Sequence, residues 1–446
     1  MKLKTFKIGG VHPDDSKLAS EEAIEDLALP QVAYISMAQH LGAPATPVVQ
    51  KGDTVKVGQL IASPSGFMSA CIHSPYSGTV TAVEPRADLA GNMVMHVVIT
   101  VEGDEWLPEI DRSADIRRDI TLSPEEIVAK IKDSGIVGLG GAAFPTHIKL
   151  SPPPGKRAEC LILNGTECEP YITSDDRIMR EYTEQILIGA AIMMKALGVS
   201  TGYVGIEENK KAAIAAMQAC VAKYPQIKVV PLKKKYPQGG EKQLIDSVID
   251  RRVPSLGLPI DTGAVVQNVG TALAVYEAVQ KNKPLIDNVI TVTGRCLSRQ
   301  RNLRVRVGCT YAQLLEAAGG VPEAAAKFIS GGPMMGKAIV NMEAPTQKAT
   351  SALLVFTEAE TKRRTESACI RCGKCADACP MGLQPFLLSR LVRKGGMTDE
   401  LEQEKVFDCI ECGCCLYTCP ANIPLLDLIR PAKAQVTKIM KSRPKN

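Results

Sequence analysis

The chain has 446 residues, a soft prior for three or four domains, and 45% hydrophobic content, enough for several cores. Aromatics are 4% and the net charge is +5, so composition supports neither base stacking nor a nucleic-acid partner. No stretch approaches the ~18 apolar residues of a spanning helix. Met1-Lys2-Leu3-Lys4-Thr5-Phe6 lacks the apolar core of a secretory signal, so a cytosolic setting with reduced thiols is expected.

Residues 1–110 read as a β unit. Gln50-Lys51-Gly52-Asp53 and Ser74-Pro75-Tyr76-Ser77-Gly78 are turns between short alternating strands. They resemble the two halves of a biotinyl/lipoyl-carrier barrel-sandwich. The segment Ala62 to Ile72 has no Lys to modify, which makes the unit structural. Cys71 and His73 read as packing residues.

Asp111 to Thr121 reads as a linker, and 120–285 as an α/β domain. Ser123-Pro124-Glu125-Glu126 opens a helix with a capping box and Pro at N1, ending near Ser134-Gly135. A strand is expected over Glu159 to Leu163 and one long helix over Ser174 to Leu197, stopped by Gly198. Strand Tyr203–Ile206, helix Asn209–Tyr224 and strand Ile227–Leu232 follow, an alternation that predicts a parallel sheet. Residues 286–345 return to short β segments with one helix, Thr310 to Ala318, as in a small β-grasp unit. The charged stretch Thr357 to Glu366 then leads into 360–446.

That last region holds eight of the fifteen cysteines in a duplicated pattern. Cys369, Cys372, Cys375 and Cys379-Pro380 form C-x2-C-x2-C-x3-C-P, and Cys409, Cys412, Cys415 and Cys419-Pro420 repeat it. This is the bacterial run for a pair of [4Fe-4S] clusters, in which the fourth Cys of each run ligates the other run's cluster. One cluster is assigned to Cys369, Cys372, Cys375 and Cys419, the other to Cys409, Cys412, Cys415 and Cys379. Structural zinc would use two Cys pairs rather than a triplet plus Cys-Pro, twice. Cys414 reads as a packing thiol. Helices are expected over Gln384–Lys394 and over Leu425–Ile439, the latter kinked at Pro431. Lys433, Lys438, Lys441, Arg443 and Lys445 form either a solvated tail or a contact for an anionic membrane surface.

Two loops of the α/β domain carry further signals. Gly138-x-Gly140-x-x-Ala143 fits a dinucleotide fingerprint formally, yet it follows a helix and leads to Pro145 rather than joining strand to helix. It is either an ordinary turn or, with Gly141 and Lys149, a backbone cradle for a phosphate. Asn164-Gly165-Thr166-Glu167-Cys168-Glu169 sits at the carboxyl end of an expected strand, where open α/β sheets bind ligands. Its Asn and acids either face a flavin and its hydroxyls or simply feed the next helix. A flavin converts between the one-electron chemistry of clusters and the two-electron chemistry of pyridine nucleotides, so a flavin–cluster relay is the coherent reading.

Taken together, Gly135, Gly138, Gly140, Gly141, Ala142, Phe144, Pro145, Thr146 and Lys149, then Asn164, Glu167, Glu169 and Pro170, resemble the flavin-binding subunit of respiratory complex I. Tyr236-Pro237-Gln238-Gly239-Gly240-Glu241 and Val266-Gln267-Asn268-Val269-Gly270-Thr271 resemble two further segments of that subunit. Thr166, Gly240, Gln267 and Gly270 depart from its pattern. The order of units along residues 1 to 425 resembles the RnfC family, which belongs to the Rnf ion-translocating ferredoxin:NAD oxidoreductases.

The resemblance implies a multidomain α/β and α+β chain: carrier-like β-sandwich, complex I flavin-subunit-like α/β domain, β-grasp segment and helical two-cluster ferredoxin-like domain. It implies FMN held by Gly138, Gly140, Gly141 and Lys149, and a flavin and NAD(H) site lined by Asn164, Glu167, Glu169, Glu241 and Asn268. The implied enzyme is part of a translocase that couples ferredoxin:NAD electron transfer to Na+ or H+ movement. It would lie peripherally on the cytoplasmic face of the inner membrane, beside membrane-embedded and iron–sulfur partner subunits, with ferredoxin reached indirectly. A non-catalytic iron–sulfur wire with an empty flavin fold, or a soluble dehydrogenase subunit, are the rivals.

Overall fold

The computed structural model describes residues 3–395 and 398–443; Lys445 of the basic tail lies outside them. Four sheets organise the chain.

Near the N-terminus, Val32–Ser36, Met93–Val101, Gly78–Ala87 and Thr54–Val55 form one antiparallel sheet, and Thr46–Pro47, Leu60–Ser63 and Ile72–His73 a smaller second one. Period-2 alternation turns Ala33, Ile35, Val55, Ile61, Val97 and Ile99 into a shared core. Residues 3–28, assigned to this unit from the sequence, instead lie across the other domains. Lys4 bridges to Leu232 and Val11 to Tyr236, while Ile24–Asp26 adds a parallel edge strand to Arg301–Arg306. Strand pairing recruits this strap because both partner strands present free edges.

The α/β domain has the expected parallel sheet, in the order Ile227–Leu232, Gly202–Glu207, Cys160–Gly165, Ala264–Asn268. Successive connections leave Cys160–Gly165 in opposite directions, so a switch point lies between it and Ala264–Asn268. Helix Pro124–Asp133 opens with the full Ser123–Glu126 capping box, a cap of about 1 kcal/mol. The expected long helix is broken: Ser174–Glu181 and Thr183–Leu197 meet at Tyr182, whose φ/ψ are −122°/32°. There the Thr183 hydroxyl donates to Met179 O, competing with the backbone ladder. Gly189 lets Thr183–Leu197 approach helix Val269–Lys281 closely; a Cβ there would meet Ala272 O at 1.9 Å.

The third β unit runs past residue 345. Its six-stranded sheet, in the order Ile24–Asp26, Arg301–Arg306, Asp287–Thr293, Ala352–Thr357, Ala325–Ser330, Lys337–Ala338, needs Ala352–Thr357 at its centre. All five of that strand's first residues are buried, which the sequence shows as the apolar run Ala352-Leu353-Leu354-Val355-Phe356.

In the last region the two cysteine runs are conformational copies. Arg371 and Glu411 take φ of +56° and +58°, and Gly373 and Gly413 of +77° and +78°, each Gly leading into one helical turn. Helix Leu425–Ser442 continues through Pro431, with Pro424 at its N-cap. Lys433 does not belong to a solvated tail: its ammonium donates to Cys409 O at 2.7 Å and pairs with Glu411 at 2.8 Å. Among the described residues no helix is long and apolar enough to cross a membrane.

Candidate functional site

A cleft of about 640 Å³ opens at the switch point, within the usual range for a ligand site. Asn164 and Asn268 sit side by side there, in register at the strand ends. Asn164 donates to Gly239 O (2.9 Å) and accepts from the Thr166 hydroxyl (2.7 Å). Asn268 caps helix Val269–Lys281 through Gly270 N (2.7 Å), while its amide donates to Asp175 at 2.7 Å. Both Asn residues also line the cleft.

Gly140, Gly141 and Ala142 form an exposed rim of the cleft. Their backbone N–H groups have no hydrogen-bond partner among the described residues. A Cβ on Gly140 would lie 2.9 Å from Asn268 Nδ2, so only glycine lets the rim approach that side chain. Gly138 stands behind the rim, its N–H donating to Phe144 O. Lys149 also lies outside the cleft wall. Its ammonium is taken by Glu241 (2.7 Å) and Val266 O (3.1 Å), and Glu241 is the group that faces the cleft.

The acidic loop is buried rather than solvated. Glu167, at φ +44°, accepts from Asp175 N at 2.7 Å, serving the N-terminus of the next helix. Burial raises its carboxyl to about 8, against the pull of Lys17 and Lys210. Glu169 accepts from Met334 N (3.0 Å) and Met335 N (2.9 Å), pinning the loop Gly331–Gly336 over the cleft; burial raises it to about 7. Asp175 is likewise raised by burial, to about 6. Positive-φ conformations at Glu167 and Tyr171 cost on the order of 1–3 kcal/mol each. Lys17 offsets that cost by donating to the carbonyls of Glu167 (2.9 Å), Glu169 (2.9 Å) and Ile172 (2.5 Å).

The two cysteine runs pack against each other. Cys379 of the first run joins Cys409, Cys412, Cys414 and Cys415 around one cavity, closed by Leu388, Leu426 and Ile429. Cys375, Cys419 and Cys415 pack on Ala421, Ile423 and Leu425, so Cys415 touches both groups. Cys369 and Cys372 are exposed. Cys414 is fully buried and its thiol faces Tyr236 O at 3.8 Å, as a packing thiol should.

Tyr236 connects the two centres. Its hydroxyl donates to Cys412 O at 2.9 Å and lies 3.4 Å from Glu169. Ile410 of the second run forms part of the cleft wall. The strap completes the junction: Val11 exchanges hydrogen bonds with Tyr236, and Gly10 N donates to Ala378 O at 2.9 Å. The sequence alone does not single out Lys17, Asp175 and the Gly331-Gly332 loop as site residues, whereas Tyr236 opens the Tyr236–Glu241 segment that resembles the flavin subunit. Only the glycine pair carries a local signal, since the others owe their place to contacts distant in sequence.

Parallel sheet, switch-point cleft and duplicated cysteine unit define a flavin- and iron–sulfur-dependent electron-transfer chain. Family profiles match the Nuo51 FMN-binding domain over residues 131–277 and the 4Fe-4S dicluster domain over 361–420. Others match the RnfC barrel sandwich hybrid domain over 4–104 and the SLBB domain over 289–338. The chain belongs to the RnfC family, the C subunits of ion-translocating ferredoxin:NAD(+) oxidoreductase complexes. It is 46% identical to the C subunit of the proton-translocating ferredoxin:NAD(+) oxidoreductase complex of Clostridium ljungdahlii, over 97% of this chain and 94% of that one. It is 41% identical to the Na(+)-translocating counterpart of Acetobacterium woodii, over 98% of both. With the C subunit of the ion-translocating oxidoreductase complex of Rhodobacter capsulatus it shares 42% identity, over 98% of this chain and 84% of that one.

Proposed function

We propose that this chain is the subunit at which a ferredoxin:NAD oxidoreductase complex exchanges electrons with NAD(H), relaying them through two [4Fe-4S] clusters while the wider complex moves Na+ or H+. The observation that carries this reading is the contact between the switch-point cleft and the second cysteine run, through Tyr236 and Ile410. FMN bound in the cleft would supply the interconversion of two-electron and one-electron chemistry. The unpartnered N–H groups of Gly140 and Gly141 suit its phosphate. Gln243 adds a buried Oε1 with no partner among the described residues, a fitting acceptor for a ligand N–H or hydroxyl. Lys149 acts through Glu241, and Asn164, Asn268, Glu167 and Glu169 hold the wall in shape.

The crossed ligand sets, the carrier-like character of the β unit, the β-grasp character of residues 286–357 and a peripheral cytoplasmic station on the membrane belong to the same proposal. Anaerobically purified protein is expected to hold FMN near one per chain and iron for two clusters. Cys379→Ser and Cys415→Ser should abolish the same EPR signal and leave about half the iron. Loss of different signals would refute the crossing, and iron-loaded protein that never retains flavin would favour the wire.

A further inference from the structure

Among the described residues of the cleft wall, Gln243 alone carries a buried side-chain polar atom, Oε1, without a hydrogen-bond partner. Its other end is engaged outside the α/β domain. Nε2 donates to Pro380 O at 3.3 Å and lies 3.4 Å from Met381 Sδ, both in the turn that follows Cys379. A carbonyl can only accept, so the amide nitrogen must face Pro380 and the oxygen the cleft. Gln243 is 4% exposed and Pro380 is buried, so water has little access to the bridge.

Two glycines shape this bridge. Gly240 has an ordinary backbone, φ −59°, yet a Cβ there would lie 2.3 Å from Gln243 Oε1. Gly240 is one of the departures from the complex I flavin-subunit pattern, and its missing side chain is what leaves room for Oε1. On the far side of the turn stands Gly9, at φ +63°. A Cβ on it would lie 2.4 Å from Cys379 O. The Cys379–Pro380 turn is thus clasped between the strap and Gln243.

From this geometry we infer that Gln243 is a double-ended positioning residue, which accepts from an N–H of the flavin ring on one side and fastens the Cys379–Pro380 turn on the other. The inference rests on the proposed flavin and cluster reading and adds to it a link between the two: filling the cleft tightens the turn that carries Cys379. A reduced flavin ring has more N–H donors than an oxidised one. A fixed acceptor therefore favours reduction and holds the midpoint potential up. Tyr236 joins the same regions, but its hydroxyl is engaged by Cys412 O and Glu169 and offers no free acceptor to a ligand.

The test titrates FMN onto the iron-loaded full chain and follows amide hydrogen exchange over residues 378–383 with and without it. In wild type, FMN should slow exchange there several-fold. Gln243→Leu should bind FMN roughly five- to thirtyfold more weakly, lose that slowing and shift the flavin midpoint potential to more negative values. Gly240→Ala, whose backbone suits alanine, should push Oε1 aside and shift the potential the same way while the melting temperature stays as it was. Should Gln243→Leu fail to fold, Gly240→Ala carries the same comparison. FMN that binds wild type without slowing exchange at 378–383 overturns the link alone. So do equal slowing and an equal potential in the variants. Wild type that binds no FMN removes the flavin reading and the inference with it.

Discussion

Tyr236→Phe tests whether the flavin cleft and the second cysteine run form one mechanical unit. Tyr236 is 2% exposed, and its hydroxyl reaches Cys412 O at 2.9 Å. Phenylalanine keeps the ring, so no cavity forms and only the donor is lost. Cys412 is itself 7% exposed, so its carbonyl loses a partner that water replaces poorly. A buried acceptor left unsatisfied costs about 1–3 kcal/mol. A local loss of about 1–2 kcal/mol corresponds to a five- to thirtyfold change in an opening equilibrium. Amide hydrogen exchange over residues 409–416 should therefore accelerate by that factor, while exchange in Met93–Val101 of the N-terminal unit stays as it was. Glu169→Gln combined with Tyr236→Phe should be non-additive, since both alter one network. Unchanged exchange in 409–416, or an equal rise everywhere, would refute the idea that this hydroxyl ties the two centres.

Gly140→Ala should lower FMN retention several-fold, because the new Cβ would sit 2.9 Å from Asn268 Nδ2 and push it off Asp175; flavin per chain after gel filtration reads this. The melting temperature should barely move, as Gly140 is at an exposed rim. Cys414→Ser should leave iron content unchanged: Cys414 lines the same cavity as the second run, but its thiol is directed to Tyr236 O at 3.8 Å, and iron analysis reads the outcome. Lys348 joins three units through carbonyls alone, Cys71 O at 2.7 Å and Gly135 O at 2.8 Å, with His40 and His73 nearby. Burial lowers its ammonium from 10.5 to about 7, so unfolding takes up a proton between those values and stability rises as pH climbs through that window. Lys348→Met should flatten that rise; thermal melts at pH 7 and pH 9 of both proteins give the difference, and parallel slopes would refute it.

What was legible in the sequence was whatever is coded locally. The duplicated cysteine spacing, the Ser123 capping box and the β–α alternation after residue 160 each depend on residues within a few turns of one another, and each stands in the structure. The strap was not legible, since Val11 finds Tyr236 and Ile24 finds Asn302 only after the chain has closed. For the same reason the second partners of the acids at 164–169 were not legible: Glu167 and Glu169 line the cleft as the sequence suggests, but nothing local shows that Asp175 N and Met334 N also bond to them. The break at Tyr182 escaped because residues 174–197 hold a continuous helical pattern that one hydroxyl interrupts. Lys433 looked like part of a basic tail until the fold brought Cys409 to it.

The strap also has a temporal meaning. Gly10 leaves the ribosome long before Ala378, and at roughly 5–20 residues per second the interval is on the order of 20 to 70 s. The opening stretch has no strand to join until Leu232 emerges, and no cysteine loop to clasp until Ala378 does. The first-made segment is therefore fastened in stages, to the α/β domain and the third β unit first and to the cysteine unit last, which leaves the inorganic centres a window before that final clasp closes.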